Sequence, residues 1–562
     1  MLKNKIFGRG KIIFISVLFF LLIFPGKSLG QEDPRFLIIH LDAVSFEDFQ
    51  RELERGSVPN LERIFADEGA IFKGLSPFPG GTEVIVPRMK TGERIDGEGP
   101  SGWGYYDYDQ ERMVTKPEVA LEYMSFVLRR SRGNFTNVLP LIDHTAFFSI
   151  INIPSLLERY QVAKFFWFST DYYGHYFGPE QHLNSLKRFD RMFGYLVDRL
   201  DLDKTNLILY VDHGMTFGEM KTVDYSNTVE KVVGENLLGE RYPNIYLKDQ
   251  EEKEGLAWEI AQKRGIEFAF FREGPNRVKG FHKEGEIIFE EKGSKIRYTY
   301  SGKDVLEYYD LDYAGEFLDD DEWLHLTSSS LMPAAPVNIY RYFDNPRTGE
   351  IITVMNPPYI FANPLVFFLP EKLVDPLVMD KGAHAGLHHS DLLVPVMVRG
   401  PEVEHLYDKE VIWLYDLLAN IPELDFDNYE PAREQHSLNL WTEYNDPLGE
   451  ISFSASYSPE YRFNLTVQKQ GEDFRGWLER DIFSTHSIRT WLGAGLDFSG
   501  KGDGSPLLMP RLEFKAGALG LELAYPVSFA GEGMETVLSL EFGTGLRLDW
   551  HVPAGFGLGY RF

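Results

Sequence analysis

The sequence predicts an α/β fold, a doubly wound and mostly parallel sheet, followed by an all-β antiparallel barrel of about eight strands. Three observations predict it. Continuous apolar runs, "RFLIIHLD", "FFWFSTD" and "NLILYVDHGM", end on or run up to Asp42, Asp171 and Asp212, and helical patterns separate them. Beyond about Ser437 the pattern changes to a period of two with short turns.

Unbroken apolar runs read as strands covered on both faces, which is the setting of a parallel sheet. After Asp42, "SVPNLERIFADEGA" reads as a helix, with Pro59 at its start, Leu61, Ile64 and Phe65 on one face and Gly69 as its stop. After Asp171 a Gly-His turn is expected at "YYGHYFGP", where Gly174 would let His175 swing back toward the aspartate. A longer helix follows, with Leu183, Leu186, Phe189, Phe193, Leu196, Val197 and Leu200 at spacings of three and four. Parallel strands put their carboxyl ends at one crevice, so the three aspartates should face each other there.

At 562 residues the chain is long enough for two or more cores. Lys3, Lys5, Arg9 and Lys11 precede an apolar run from Ile12 to Phe24, shorter than a membrane span needs, and small residues follow at Ser28 and Gly30. Residues 1–30 are therefore expected to be a secretory signal peptide. The chain has no cysteine, which excludes disulfides, thiolate metal sites and a lipid-modified cysteine anchor. Its net charge of -28, and more negative still without the basic leader, argues against a nucleic-acid groove.

Three carboxylates in one crevice repel each other unless a cation lies between them. Two of them travel with histidines, His175 and His213, and further histidines stand in "KGAHAGLHHSDLLVPVMVRGP" ahead of a strand from Leu392 to Val398. Carboxylates with imidazoles are the donor set of a divalent transition metal such as Zn²⁺, and the groups suffice for two ions.

The order of these segments resembles the alkaline phosphatase superfamily, and within it the type I phosphodiesterase/nucleotide pyrophosphatase branch. "LDAVSFEDF", "VPNLERIFADEGAIFKGLSPFPGGTEVIVPRMKTG", "DYYGHYFGP", "VDHGM" and "GAHAGLHHSDLLVPVMVRGP" match its successive motifs, and "VIWLYDLLANIPELDF" looks like its closing helix. The resemblance implies one metal held by Asp171, His175 and His384, a second held by Asp42, Asp212 and His213, and Thr82 as the nucleophile beside the second. His384 is preferred to His388 and His389 because it follows "GA" and precedes Pro395 as in the family. The sequence departs from the pattern at Trp103, where the family has an asparagine that contacts phosphate, and at Ala385, where glycine is usual. No Cys or Ser stands in a C/S-x-P-x-R setting, which argues against a sulfatase.

The implied activity is hydrolysis of a small phosphate ester. Diester or pyrophosphate bonds are favoured over monoesters because Arg88 and Lys90, the cations near Thr82, are expected to face solvent, while Trp103, Tyr105, Tyr106 and Tyr108 offer an aromatic wall. The alternatives are a phosphomonoesterase of the same superfamily and a catalytically inactive outer-membrane protein. The expected domains are a catalytic one over 31–432, with an insertion at 216–379 whose run "YYDLDYAGEFLDDDEW" reads as a solvated face, and a β domain over 433–562. In its last strand Phe556, Leu558, Tyr560 and Phe562 share one face while glycines and Arg561 share the other. Apolar outside and small or charged inside is the pattern of an outer-membrane barrel, which would place the catalytic domain in the periplasm; a soluble β-sandwich has the same alternation.

Overall fold

The computed structural model describes residues 34–91, 99–115, 161–361 and 381–422, isolated residues and pairs beside these stretches, and the strands between 435 and 561. The leader expected at 1–30 and the domain boundary at 432 lie outside the described residues.

The first domain is built on a six-stranded sheet of β1 (Arg35–Leu41), β2 (Ala70–Leu75), β3 (Val162–Trp167), β4 (Thr205–Val211), β5 (Leu393–Arg399) and β6 (Val411–Trp413), in the order β6-β2-β5-β4-β1-β3. Strand β1 runs parallel to β3 and β4, and β6 parallel to β2; β5 alone is antiparallel to both neighbours. All seven residues of β4 and Phe36–Leu41 of β1 are buried, because helices cover both faces. "VIWLYDLLANIPELDF", expected as a helix, begins instead as edge strand β6, since Val411 and Trp413 fill the core beside Leu75.

Helix α1 (Phe46–Glu54) starts at Ser45, whose hydroxyl accepts the amide of Asp48 at 3.1 Å. The segment from Pro59 is helical to Ala66, and buried Asp190 ties down its start by accepting the Asn60 and Leu61 amides at 3.0 and 2.9 Å. Helix α2 (Thr82–Thr91) follows β2, and helices α3 (Ser169–Phe177) and α4 (Pro179–Val197) follow β3. Helix α4 buries Leu186, Phe189, Phe193, Leu196 and Val197, each worth about 1.5–3 kcal/mol on burial, and that face holds it to the sheet.

The turn expected at Gly174 is an error: "STDYYGHYF" is helical throughout. Gly174 serves packing there, since a Cβ would meet the Met215 sulfur, and the true turn is Gly178 at φ 82 between α3 and α4.

The insertion holds a seven-stranded antiparallel sheet running, in spatial order, Lys295–Gly302, Gly285–Lys292, Arg277–His282, Ile266–Gly274, Ile351–Met355, Asn244–Leu247 and Leu237–Arg241. Its aromatic run is not a solvated face. Tyr308, Tyr313 and Trp323 are buried in one core with Leu75, Phe78 and Val84 of the first domain, and the acids flank them; Asp319 caps the helix Asp320–Thr327, and Asp320 pairs with Arg341 at 3.2 Å.

In the C-terminal region twelve described strands form one antiparallel sheet, more than the eight expected. Sequence reading missed Asp473–Ser484, whose charges interrupt the alternation, and Gly531–Glu532, and it ran Val527–Ser528 together with the strand Leu519–Ala524. Gln435–Glu443 pairs with the final strand Gly555–Arg561, and Ile488–Asp497 pairs with both Asp473–Ser484 and Ser505–Ala516. Among the described residues no helix is long and apolar enough to cross a membrane.

Candidate metal centre

One edge of the first sheet collects every residue singled out for metal chemistry. Strands β1 and β4 end there and release Asp42 and Asp212 directly, and β3 ends there one turn of helix before Asp171. Because β5 is reversed, its beginning lies at the same edge, with Leu393 opposite the end of β2 at Leu75. The loop that leads into β5 therefore delivers His384, and the loop that leaves β2 delivers Thr82.

Asp171 and His175 share a face of α3 at i, i+4, with Nε2 to Oδ1 at 3.3 Å. His384 Nε2 lies 3.7 Å from the same oxygen. His213 Nε2 is 3.4 Å from Asp42 Oδ1, 3.6 Å from Asp212 Oδ2 and 3.4 Å from the Thr82 hydroxyl. The His213 and His384 rings stack at 3.8 Å, and those of His175 and His384 are 5.1 Å apart. All six expected donors and Thr82 thus converge.

The backbone sets the tautomers. Nδ1 of His175, His384 and His213 faces the carbonyls of Gly382, Gly80 and Gly214 at 2.8, 3.0 and 3.0 Å, so each Nδ1–H donates to a carbonyl and each Nε2 keeps its lone pair for the cluster. Gly80 presents its carbonyl from a backbone at φ 62, which favours glycine. Asp212 Oδ1 accepts the amides of Ala43 and His213 at 3.3 and 3.0 Å. Asp42 is fixed through its main chain, its carbonyl accepting the Thr170 hydroxyl.

The remaining acceptors point inward with nothing to receive. Both oxygens of Asp42, Asp171 Oδ1 and Asp212 Oδ2 are buried and make no hydrogen bond. Burial, and then Asp212 and Asp171, push the Asp42 carboxyl well above the ordinary range. Burial would raise Asp171 as well, but the imidazoles of His175, His384 and His213 hold it down, to about 2. Burial, and then His213, depress His384 to about 3. Buried carboxylates with open lone pairs facing unprotonated imidazole nitrogens fit divalent cations, and the donor set suits a transition metal.

Around this core the sequence reading needs amendment. Arg88 does not face solvent: it is buried, and its Nη1 donates to the carbonyls of Val84 and Pro100 at 2.6 and 2.9 Å. The side chain of Lys90 lies outside the described residues. Tyr106 is buried with its ring 5.9 Å from Tyr246, Tyr108 donates to Glu350 at 2.8 Å, and the Arg347 guanidinium lies 4.4 Å above the Tyr105 ring. Trp103 is half-buried beside Gly102, which lies near Tyr242. His388 and His389 pair elsewhere, with Glu267 at 3.0 Å and Glu47 at 3.3 Å.

Sequence reasoning missed two supports. Asp391 accepts Gly386 N and Thr216 Oγ1 at 2.8 and 2.7 Å and so folds the loop behind His384. His40 stands two residues before Asp42, with Nε2 3.2 Å from Asp212 Oδ2. The alternation of β1 was the available signal, since residues 40 and 42 share a face.

Residues 100–364 match the family of type I phosphodiesterase / nucleotide pyrophosphatase. That stretch holds Asp171, His175, Asp212 and His213. No curated protein matches the chain significantly. Among solved structures, murine ectonucleotide pyrophosphatase / phosphodiesterase 5 is similar at 15% identity and a TM-score of 0.42, over 70% of this chain and 96% of its own. The human protein of the same name is similar at 14% identity and a TM-score of 0.41, over 68% and 93%. With a phosphodiesterase family segment and a buried donor cluster, the chain is a metal-dependent phosphoric ester hydrolase.

Proposed function

We propose that the chain hydrolyses phosphodiester or pyrophosphate bonds through Thr82 as nucleophile, in a centre for two divalent ions, and that its C-terminal domain is an outer-membrane barrel that leaves the centre in the periplasm. The observation that carries the catalytic part is the placement of the Thr82 hydroxyl 3.4 Å from His213 Nε2, at the rim of six converging donors.

Asp171, His175 and His384 would hold one ion and Asp42, Asp212 and His213 the other, with Zn²⁺ the expected metal for such nitrogen and oxygen donors. Ions bound there would supply Lewis acidity, lowering the pKa of the hydroxyl and offsetting charge on the phosphoryl oxygens. Thr82 opens α2, so the helix N-terminus faces the substrate phosphate and adds partial positive charge. Its deprotonated Oγ attacks phosphorus in line with the leaving oxygen, the P–O bond to that oxygen breaks and the leaving group departs with a proton. Water then cleaves the P–Oγ bond of the phosphothreonine, releasing the phosphate product and restoring the hydroxyl. The carbonyls of Gly382, Gly80 and Gly214 keep the three imidazoles oriented throughout.

The burial of Arg88 supports a diester substrate. Its Nη1 is engaged by the carbonyls of Val84 and Pro100, which favours a structural role over one toward the second negative charge of a monoester. Trp103 and Tyr105 remain the proposed wall for the second substituent. The test is kcat/KM for a nitrophenyl phosphate against its methyl diester, on the metal-loaded chain. We expect the diester to be preferred; a monoester preference of about tenfold or more, about 1.4 kcal/mol, overturns the diester reading.

The barrel reading rests on the C-terminal sheet. Ile488–Asp497, first in the strand order, also pairs with Ser505–Ala516 near the other end, which supports closure. Leu465, Leu478, Leu492, Leu496 and Leu508 are exposed, whereas Glu479 is buried and receives Arg511 at 2.7 Å. Leucine outward and an ion pair inward reverses the order of a soluble domain and suits lipid around a polar interior.

A further inference from the structure

His40 lies outside the donor set that the family pattern assigns. It is buried on β1, in register with Phe166 on β3 and Tyr210 on β4, and its ring stacks between theirs at 4.3 and 4.9 Å. The sandwich fixes the plane of the ring and leaves Nε2 aimed at the edge of the sheet where Asp42 and Asp212 stand.

A core histidine is ordinarily satisfied by hydrogen bonds, and Nε2 of this one has none of acceptable geometry. His40 Nε2 and Asp212 Oδ2 approach to 3.2 Å, yet neither atom makes a hydrogen bond of acceptable geometry, and neither does either oxygen of Asp42. Donor atoms of His40, Asp42 and Asp212 lie within 4.8 Å of one another. Two donors on one tetrahedral ion at about 2.0–2.1 Å stand roughly 3.3 Å apart, which is the separation found here. A second group of the same kind is formed by Asp171, His213 and His384, so His213 sits between the two pockets.

From this geometry we infer that His40 is a direct metal ligand, completing the pocket of Asp42 and Asp212 with an imidazole from the same strand as Asp42. The inference rests on the two-metal reading above. It makes β1 a His-x-Asp element in which both donors come from one rigid strand, and it adds a second imidazole to the Asp42–Asp212 pocket beside His213.

The test uses the full chain stripped with a chelator and titrated with Zn²⁺ by calorimetry, then with Co²⁺ by visible absorption. The variants are His40→Phe, which keeps the aromatic stack, and His40→Gln, which keeps an N–H near the position of Nε2. The parent is expected to take two ions, and both variants to bind one of them about a hundredfold more weakly or worse, with a changed Co²⁺ spectrum. Parent-like affinity and spectrum in His40→Gln alone show that His40 only donates a hydrogen bond to Asp212, and overturn the ligand assignment. Parent-like binding in both variants overturns it too. A parent that takes fewer than two ions overturns the two-metal reading itself, and a parent-like melting temperature of the stripped variants shows that lost binding is not lost folding.

Discussion

Thr82 is held by a short loop, Pro79-Gly80-Gly81, whose Gly80 carbonyl also orients His384, so the proposed nucleophile and the proposed ligand share one support. Replacing Thr82 by alanine removes the attacking oxygen without touching that support. We expect Thr82→Ala to lose about 10⁴-fold or more in kcat while binding metal as the parent does, and Thr82→Ser to keep measurable turnover. Activity of Thr82→Ala within about tenfold of the parent rules out the nucleophile. At this scale the sequence was legible where chemistry interrupts a pattern: Asp42, Asp171 and Asp212 stand out because a carboxylate ends an apolar run. His40 was hidden because it sits inside such a run, where a single imidazole reads as core. Arg88 was misplaced because a cation on a helix suggests solvent, and only its burial and its bond to the carbonyl of Pro100, beyond the helix, show otherwise.

Among elements, the loop between His384 and β5 is the one most dependent on its neighbours. Asp391 braces it from within, and His388 fastens it to the insertion through Glu267 on the strand Ile266–Gly274. Burial acts to lower the His388 pKa, but the hydrogen bond and charge of Glu267 outweigh it and raise the pKa above the ordinary 6.5. A raised histidine binds its proton more tightly in the folded state, so the pair stabilises fully below about pH 6.5 and is lost as the pH rises through the folded value. We expect the melting temperature of the parent to fall more steeply between about pH 6 and about pH 8 than that of Glu267→Gln; equal slopes exclude the pair as a source of stability. Helix α3 shows why element type can escape sequence reading. Gly174, Gly178 and Pro179 look like punctuation, but Gly174 is where the Met215 sulfur packs, and the helix continues past it. The aromatic run of the insertion was likewise hidden by its acids, which cap and pair at the edges of a buried tyrosine and tryptophan cluster.

At the scale of the molecule, the first and the C-terminal sheets are of opposite character, one apolar inside and one with leucines outside. If the second is a barrel in lipid, carbonate at high pH will leave the mature chain in the membrane fraction and detergent will release it; release by carbonate or salt alone makes the C-terminal domain a soluble sandwich. The α/β class was readable from unbroken strands, and the period of two from the tail, while the number of tail strands was not, since Asp473–Ser484 carries charge on the face that the sheet buries. The reversal of β5 reaches further than topology. It brings His384 to the edge where Asp42 stands at the end of the opening strand, with most of the domain threaded between them. Contacts so distant along the chain form late and slowly. In the proposed two-ion centre a chain ending before that loop lacks one imidazole donor, so such a fragment is expected to bind fewer ions than the full chain, which a Zn²⁺ titration of both checks.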